Sequence, residues 1–428
     1  MLLGFMLPTW FLSMWISNTA TTVMMITIAE SILSCLENPG EDSESENLDE
    51  DYKRDVKKLG VALSLCTCYS SSCGGIATLI GTGPNTILLG IVESRYGSVK
   101  GFDFACWMAY ALPLSVMQLL STWIVLMLIH IGPRDTFRCG KHRSPRTLEL
   151  QRKFKSVIDR EAEKLGSISF QEYSAGFLFA SAGILWMSRS QGWGKLTKNT
   201  QDKNKVVSYV KDGQVGMLVA LLALVWPARN PLTNFRAICK KHRNAEDEKE
   251  LVKKESGPLF LMPWDVVNRR FPWGILMTLG GSFALSKISE KSGVSQWTGE
   301  KLSQLKELPP QLLVFIVTMV TSVLTELVSN VGTATILVPI SIDLAKSMNQ
   351  HPFLFSFPMT ISASFAFCLP VSTPPNAIVY AHGRVTVRQM LVTGILLNLS
   401  GVLFCIVCTI TYAYPLFGLD TLPDWANN

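Results

Sequence analysis

Ser372-Thr373-Pro374-Pro375-Asn376-Ala377-Ile378 interrupts an apolar run that starts at Pro352 and resumes at Ala377. A proline pair removes backbone donors and stops a helix. If the run lies in lipid, the freed polar groups need protein, water or ions around them. The interruption has a counterpart, Gly81-Thr82-Gly83-Pro84-Asn85-Thr86-Ile87, inside the apolar stretch that begins at Leu59. A second shared element precedes each break. Ser17-Asn18-Thr19-Ala20-Thr21 matches Ser329-Asn330-Val331-Gly332-Thr333, and both sit in the middle of hydrophobic segments. Two elements recurring in the same order define an internal repeat. The first copy has the longer spacing, mostly because of an acidic insert at residues 37–58.

The rest of the chain suits such segments. Of 428 residues, 48% are hydrophobic and 17% charged, against about 25% charged in an average soluble domain. The mean hydropathy is +0.26. Long apolar runs alternate with short charged ones, as in polytopic membrane proteins. The net charge of +6 comes mostly from two basic segments. One holds Arg143, Arg146, Arg152, Lys153 and Lys155, the other Lys240, Lys241 and Arg243. Basic loops beside spans mark the cytoplasmic side, so the charge predicts no nucleic-acid partner. The ten Cys have neither disulfide nor metal-site spacing, and most lie in apolar runs where Cys acts as a small hydrophobe. Residues 1–15 lack the basic start and cleavage site of a signal peptide and read like the middle of a membrane helix.

The segments divide as follows. Residues 1–36 are too long for one span, which needs about 20 residues, and too short for two with a loop, so they predict a re-entrant hairpin. Residues 37–58 are a flexible solvated insert, and 59–93 a broken helix. Residues 104–131 are a span, 132–170 a basic cytoplasmic segment, 171–228 a helix pair and 229–263 a second basic loop. Residues 264–310 hold an interfacial segment and a span with Gly280-Gly281 at a close helix contact. Residues 311–345 are the second hairpin, 352–385 the second broken helix and 390–418 the last span. The fold class is all-α and polytopic, with inverted repeats that set two re-entrant helical hairpins and two broken helices together.

Inverted repeats of secondary transporters bring broken helices to the bilayer midplane. Half-helix N-termini offer N–H groups and positive partial charge to an anion. Half-helix C-termini and loose carbonyls suit a cation such as Na+. Ser, Thr and Asn give neutral donors and acceptors to both. None of the four motif segments carries a charged residue, and a fixed cation there would repel the coupling ion.

At these residues the chain resembles the divalent-anion:sodium symporter family, the sodium-coupled di- and tricarboxylate and sulfate carriers (solute carrier family 13). The likeness rests on Ser13-Met14-Trp15-Ile16-Ser17-Asn18-Thr19, Gly75-Ile76-Ala77-Thr78-Leu79-Ile80-Gly81-Thr82, Thr325-Glu326-Leu327-Val328-Ser329-Asn330 and Leu369 through Val379. It implies an elevator-type homodimer in which the hairpins and broken helices form the transport domain and residues 171–228 belong to the scaffold. It implies Na+ as the coupling ion at two sites. The first uses the Ser13 and Asn18 side chains and carbonyls of Ser17 and Gly81. The second uses Thr325, Asn330 and carbonyls of Val328, Ser372 and Pro374. Substrate carboxylates meet Asn18, Thr19, Asn330 and Thr373. Gly83-Pro84 and Thr373 resemble the carboxylate branch, which implies succinate or citrate, with sulfate the alternative. Family members carry further helices before the first hairpin, so the resemblance also implies an N-terminally truncated chain, alternatively a transport-dead isoform that modulates full-length subunits. It implies a multi-pass protein of the plasma membrane, in contact with lipid.

An enzyme is the reading from another class. The chain has no His-Glu-x-x-His, Gly-x-Ser-x-Gly or Walker-type loop. Glu326, beside the second tip, is expected to tune Na+ binding or hold the hairpin rather than act as a base.

Overall fold

The computed structural model describes residues 2–37, 50–97, 99, 102–132, 166–189, 210, 212–229, 260–270 and 308–426, with single positions between 155 and 163 and between 273 and 293. Among them the secondary structure is helical, apart from one isolated bridge between Pro227 and Phe260. The acidic stretch 38–49 and nearly all of both basic segments lie outside the described residues.

Helices α1 (Leu2–Ser13) and α2 (Asn18–Glu37) form a hairpin, followed by α3 (Glu50–Ile76), a break, and α4 (Gly83–Tyr96). Next comes α5 (Phe104–Leu126), which continues through a π-turn to Ile131. Then follow α6 (Phe170–Arg189), α7 (Asp212–Val225) and α8 (Trp264–Arg270). The second hairpin is α9 (Pro310–Leu327) with α10 (Asn330–Ser347), and after it come α11 (Phe353–Ser362), a break and α12 (Pro374–Ala381). Last is α13 (Val387–Cys408), which runs through a second π-turn into α14 (Tyr414–Phe417).

Local chemistry sets these limits. Thr386 and Gln389 close a capping box at the start of α13. Prolines occupy the first turn of α4, α9 and α12, where the missing N–H costs nothing.

The chain divides into two compact units, a smaller one of residues 103–105 and 161–277 and a larger one holding both copies of the repeat. In the smaller unit α6 packs on α7. In the larger unit α3 lies at the centre, flanked by α1 and α2. Its residues 60–76 are all buried. They are rich in Ser, Cys and Gly, which lets neighbouring backbones come close. A Cβ on Gly74 would lie 3.0 Å from Cβ of Ser13 in α1. All ten residues of α11 are also buried.

The outer helices show the opposite pattern. Leu391, Ile395, Leu399 and Leu403 form an exposed apolar stripe along α13, as do Leu312, Phe315, Val323 and Leu327 on α9. Stripes this apolar belong against lipid. Among the described residues four helices are long and apolar enough to cross a membrane: Tyr52–Ile76, Phe104–Ile131, Pro310–Leu327 and Val387–Phe417.

The two copies exchange partners. Helix α4, after the first break, packs on α10 of the second hairpin, and α12, after the second break, packs on α2 of the first. An arginine seals each junction. Arg95 of α4 pairs with Asp343 of α10 at 2.7 Å. Arg384, just past α12, holds both carboxylate oxygens of Glu30 at 2.8 Å and also pairs with Glu37. Its guanidinium holds the Glu37 carboxyl below the usual carboxylate range.

One expectation needs correction. The acidic insert does not extend to Lys58 as solvated coil, because α3 already begins at Glu50. Its first turns are charged, but Val56 is 2% exposed and anchors them. Around Gly280 and Gly281 most residues lie outside the described ones, and no described atom comes within 4 Å of where a Cβ would sit.

His351, between α10 and α11, predicts an acid limit. Its Nδ1 accepts from the Phe353 amide, its ring lies against Phe353 and Trp425, and burial pushes its pKa down to about 4. The unfolded imidazole titrates near 6.5. Its contribution is therefore complete above pH 6.5 and is lost as the pH falls to about 4, a loss of about 3 kcal/mol at most. Thermal denaturation against pH should show this slope, and His351→Phe should flatten it.

Candidate functional site

The shared sequence elements coincide with helix ends. Asn18 and Asn330 begin α2 and α10; Gly83 and Pro374 begin α4 and α12. Ser13, Ile76, Leu327 and Ser362 end α1, α3, α9 and α11. The site residues therefore lie where helices leave backbone N–H or C=O groups without helical partners. The following helices even start alike, with Thr82 at φ −146°, ψ 155° and Thr373 at φ −143°, ψ 150°.

In the first copy the Ser13 hydroxyl donates to Asn18 Oδ1 at 2.7 Å. In the second the Thr325 hydroxyl lies 3.0 Å from Asn330 Oδ1 and also donates to the Ala363 carbonyl at 2.6 Å. The same hydroxyl–amide pair thus spans each hairpin turn. In the first copy it rests against Gly75: a Cβ there would lie 2.7 Å from Asn18 Nδ2 and would also strike the Asn18 Oδ1. A Cβ on Gly81 would meet the Gly75 carbonyl, so Ser13, Asn18 and Gly81 gather round one glycine.

The second copy gathers round Glu326, which is 8% exposed. Its Oε1 accepts from the Phe367 and Cys368 amides at 2.9 Å and from Asn398 Nδ2 at 2.7 Å. Its Oε2 accepts from the Ser372 hydroxyl at 2.6 Å and from the Leu369 amide at 3.3 Å. This carboxylate ties α9, the second break and α13 together. Its donors compensate a charge that is otherwise expensive inside a membrane.

The copies differ here for a physical reason. Aligning Asn18 with Asn330 puts Met14 where Glu326 stands. In the first copy α3 runs on to Ile76, and the Ala77 amide just past its end still bonds back to the Gly74 carbonyl at 3.0 Å. In the second, α11 stops at Ser362 instead of reaching Leu369, and its unwound amides need an acceptor.

Other expected residues are placed as follows. Thr373 is 7% exposed and its hydroxyl has no partner among the described residues. The Ser17 hydroxyl accepts from the Ala20 amide at 3.3 Å, and the Ser329 hydroxyl accepts from the Gly332 amide at 3.1 Å. Val328 and Pro374 are exposed and Thr19 is half-buried. The copies touch where Val331, next to Asn330, meets the first break: a Cβ on Gly83 would lie 2.5 Å from Val331 Cγ2. Thr21 and Thr333 were not expected at the site. Both are buried, occupy equivalent places in the two copies, and carry hydroxyls without partners among the described residues. Their places in the repeat were the signal available from sequence.

Chemically, the site is a set of neutral hydroxyl, amide and carbonyl oxygens beside several helix N-termini. Its one carboxylate is spent on backbone amides. Such oxygens suit a hard cation, and the N-termini suit an anion.

Comparison with known proteins points the same way. The model of the family described as the sodium:sulfate symporter transmembrane region matches residues 1–419. The chain is 35% identical over 458 residues to the Na(+)/citrate cotransporter of Rattus norvegicus, covering 100% of this chain and 77% of that protein. It is 38% identical over 459 residues to solute carrier family 13 member 2 of Mus musculus, covering 100% and 76%. It is 33% identical over 477 residues to Na(+)/dicarboxylate cotransporter 3 of Mus musculus, again covering 100% and 76%.

Proposed function

Since this chain belongs to the family of the sodium:sulfate symporter transmembrane region, a family of multi-pass membrane proteins, we propose that it is a sodium-coupled symporter of di- and tricarboxylates such as succinate and citrate. The observation that carries this reading is the hydroxyl–asparagine pair repeated at the two hairpin turns. The relatives' printed names, citrate and dicarboxylate cotransporters, set the substrate class.

One Na+ binds in each copy. The first is held by Ser13, Asn18 and the carbonyls of Ser17 and Gly81. The second is held by Thr325, Asn330 and the carbonyls of Val328, Ser372 and Pro374. The ions draw each turn towards its break, and the substrate carboxylates then dock on Asn18, Thr19, Asn330 and Thr373 beside the helix N-termini. The loaded hairpins and broken helices move as an elevator against a scaffold that includes residues 171–228, in a homodimer of the plasma membrane. Moving a dianion into a negative cell costs about 4.6 kcal/mol at 100 mV, at about 2.3 kcal/mol per charge. A third Na+ makes the cycle electrogenic and offsets this cost.

Proteoliposomes carrying this chain should accumulate radiolabelled citrate or succinate under an inward Na+ gradient, and less sulfate. Equal uptake with choline in place of Na+ sinks the symport reading. Preference for sulfate sinks the choice of substrate.

A further inference from the structure

Asn85 and Asn376 close the two breaks in the same way. Asn85 Nδ2 donates to the Gly75 carbonyl at 3.2 Å, ten residues upstream, and to the Thr78 carbonyl at 2.7 Å, seven upstream. Asn376 Nδ2 donates to the Ala366 carbonyl at 2.8 Å, again ten upstream, and to the Leu369 carbonyl at 3.0 Å, again seven. Neither is a helix cap, because Thr82 and Thr373 hold those positions. Each amide instead reaches back across its break and ties off a loop. Gly81 lies inside the first loop, and Ser372 and Pro374 inside the second.

Both side chains are 0% exposed. Because carbonyls need donors, the bonds fix each amide's orientation and leave Oδ1 pointing away. Neither Oδ1 has a donor among the described residues. An unmatched acceptor in the interior is costly, yet it recurs at the same place in both copies. That is the arrangement of a polar site completed by something other than protein.

We propose that Asn85 and Asn376 are the positioning residues of the two Na+ sites, each fixing the loop whose carbonyls face the ion. This rests on the symport reading above. The lost donors change ion binding, because an unclosed loop no longer presents its carbonyls at a fixed spacing.

The test is a Na+ titration of thermal stability on the purified protein, with K+ as control. Wild type should be stabilised by Na+ and not by K+. Asn85→Leu and Asn376→Leu, near in volume but without donors, should need about tenfold more Na+ for half the stabilisation. Should a leucine variant not fold, the serine variant, which admits a water to the carbonyls, carries the same expectation. Lithium gives a second readout: the variants should lose discrimination between Na+ and Li+, which a merely structural bond would not affect. Variants that melt lower without Na+ but keep the wild-type Na+ midpoint overturn the proposal. Uptake by the same preparations tests the symport reading separately, because wild type without Na+-dependent uptake sinks that reading even where the Na+ midpoints shift.

Discussion

Alanine at Asn18, or at Asn330, is expected to abolish Na+-dependent uptake while the protein still folds. Each asparagine is the first residue of its helix and accepts the hydroxyl that spans its hairpin turn. In the proposed cycle each serves both an ion and a substrate carboxylate. A hydrogen bond to a charged group is worth about 1.5–3 kcal/mol. Losing two such interactions lowers transport at least about a hundredfold. Truncation also strands the Ser13 hydroxyl, which is 0% exposed, in the first copy. In the second, Thr325 keeps the Ala363 carbonyl, so Asn330→Ala should cost less stability for the same loss of uptake. Gly75→Ala is a companion variant that keeps every ligand residue but pushes a methyl group into the Asn18 amide and displaces it. It should reduce uptake through the first site alone. Normal Na+-dependent uptake by either alanine variant would remove the basis of the proposed cycle.

The hairpin turns and both breaks could be found in the sequence because each carries its own punctuation. Proline in the first turn, a Ser-Asn pair and a change from apolar to small polar residues act locally, within a few residues of the structure they cause. What escaped was whatever depends on partners far along the chain. Nothing near Phe367 announces that its amide is taken by Glu326, 41 residues earlier. A reading of apolarity therefore extends α11 to Leu369, when it ends at Ser362. The Arg384 clamp joins residues 354 positions apart and could not be read from either end. The twin bonds of Asn85 and Asn376 lay between these cases. The repeat displays both residues at equivalent places, but only geometry shows that each side chain reaches back to two carbonyls.

Glu326→Leu should be the most destabilising single substitution in the site, and Glu326→Gln far milder. Leucine removes the acceptor of the Phe367, Cys368 and Leu369 amides, of the Ser372 hydroxyl and of Asn398. A buried donor left unmatched costs about 1–3 kcal/mol. Even if Ser372 turns wholly to the Glu326 carbonyl, 3.1 Å away, the two amides bonded at 2.9 Å and Asn398 remain. The loss is then roughly 3–9 kcal/mol, against a total stability of about 5–15 kcal/mol for a typical protein. Glutamine can keep its carbonyl oxygen towards the two amides and Asn398 and turn its NH2 to Ser372, whose hydroxyl then accepts. Only the long contact to Leu369 is lost. Thermal unfolding in detergent should therefore rank wild type, Gln and Leu in that order, with Gln close to wild type. An obligatory fixed charge gives another pattern, in which Gln is as damaging as Leu. Equal melting of all three proteins would show that the second break holds without this carboxylate. The Met14 position sharpens the comparison: Met14→Leu should leave melting nearly unchanged, because this buried apolar side chain accepts no hydrogen bond among the described residues and contributes only volume.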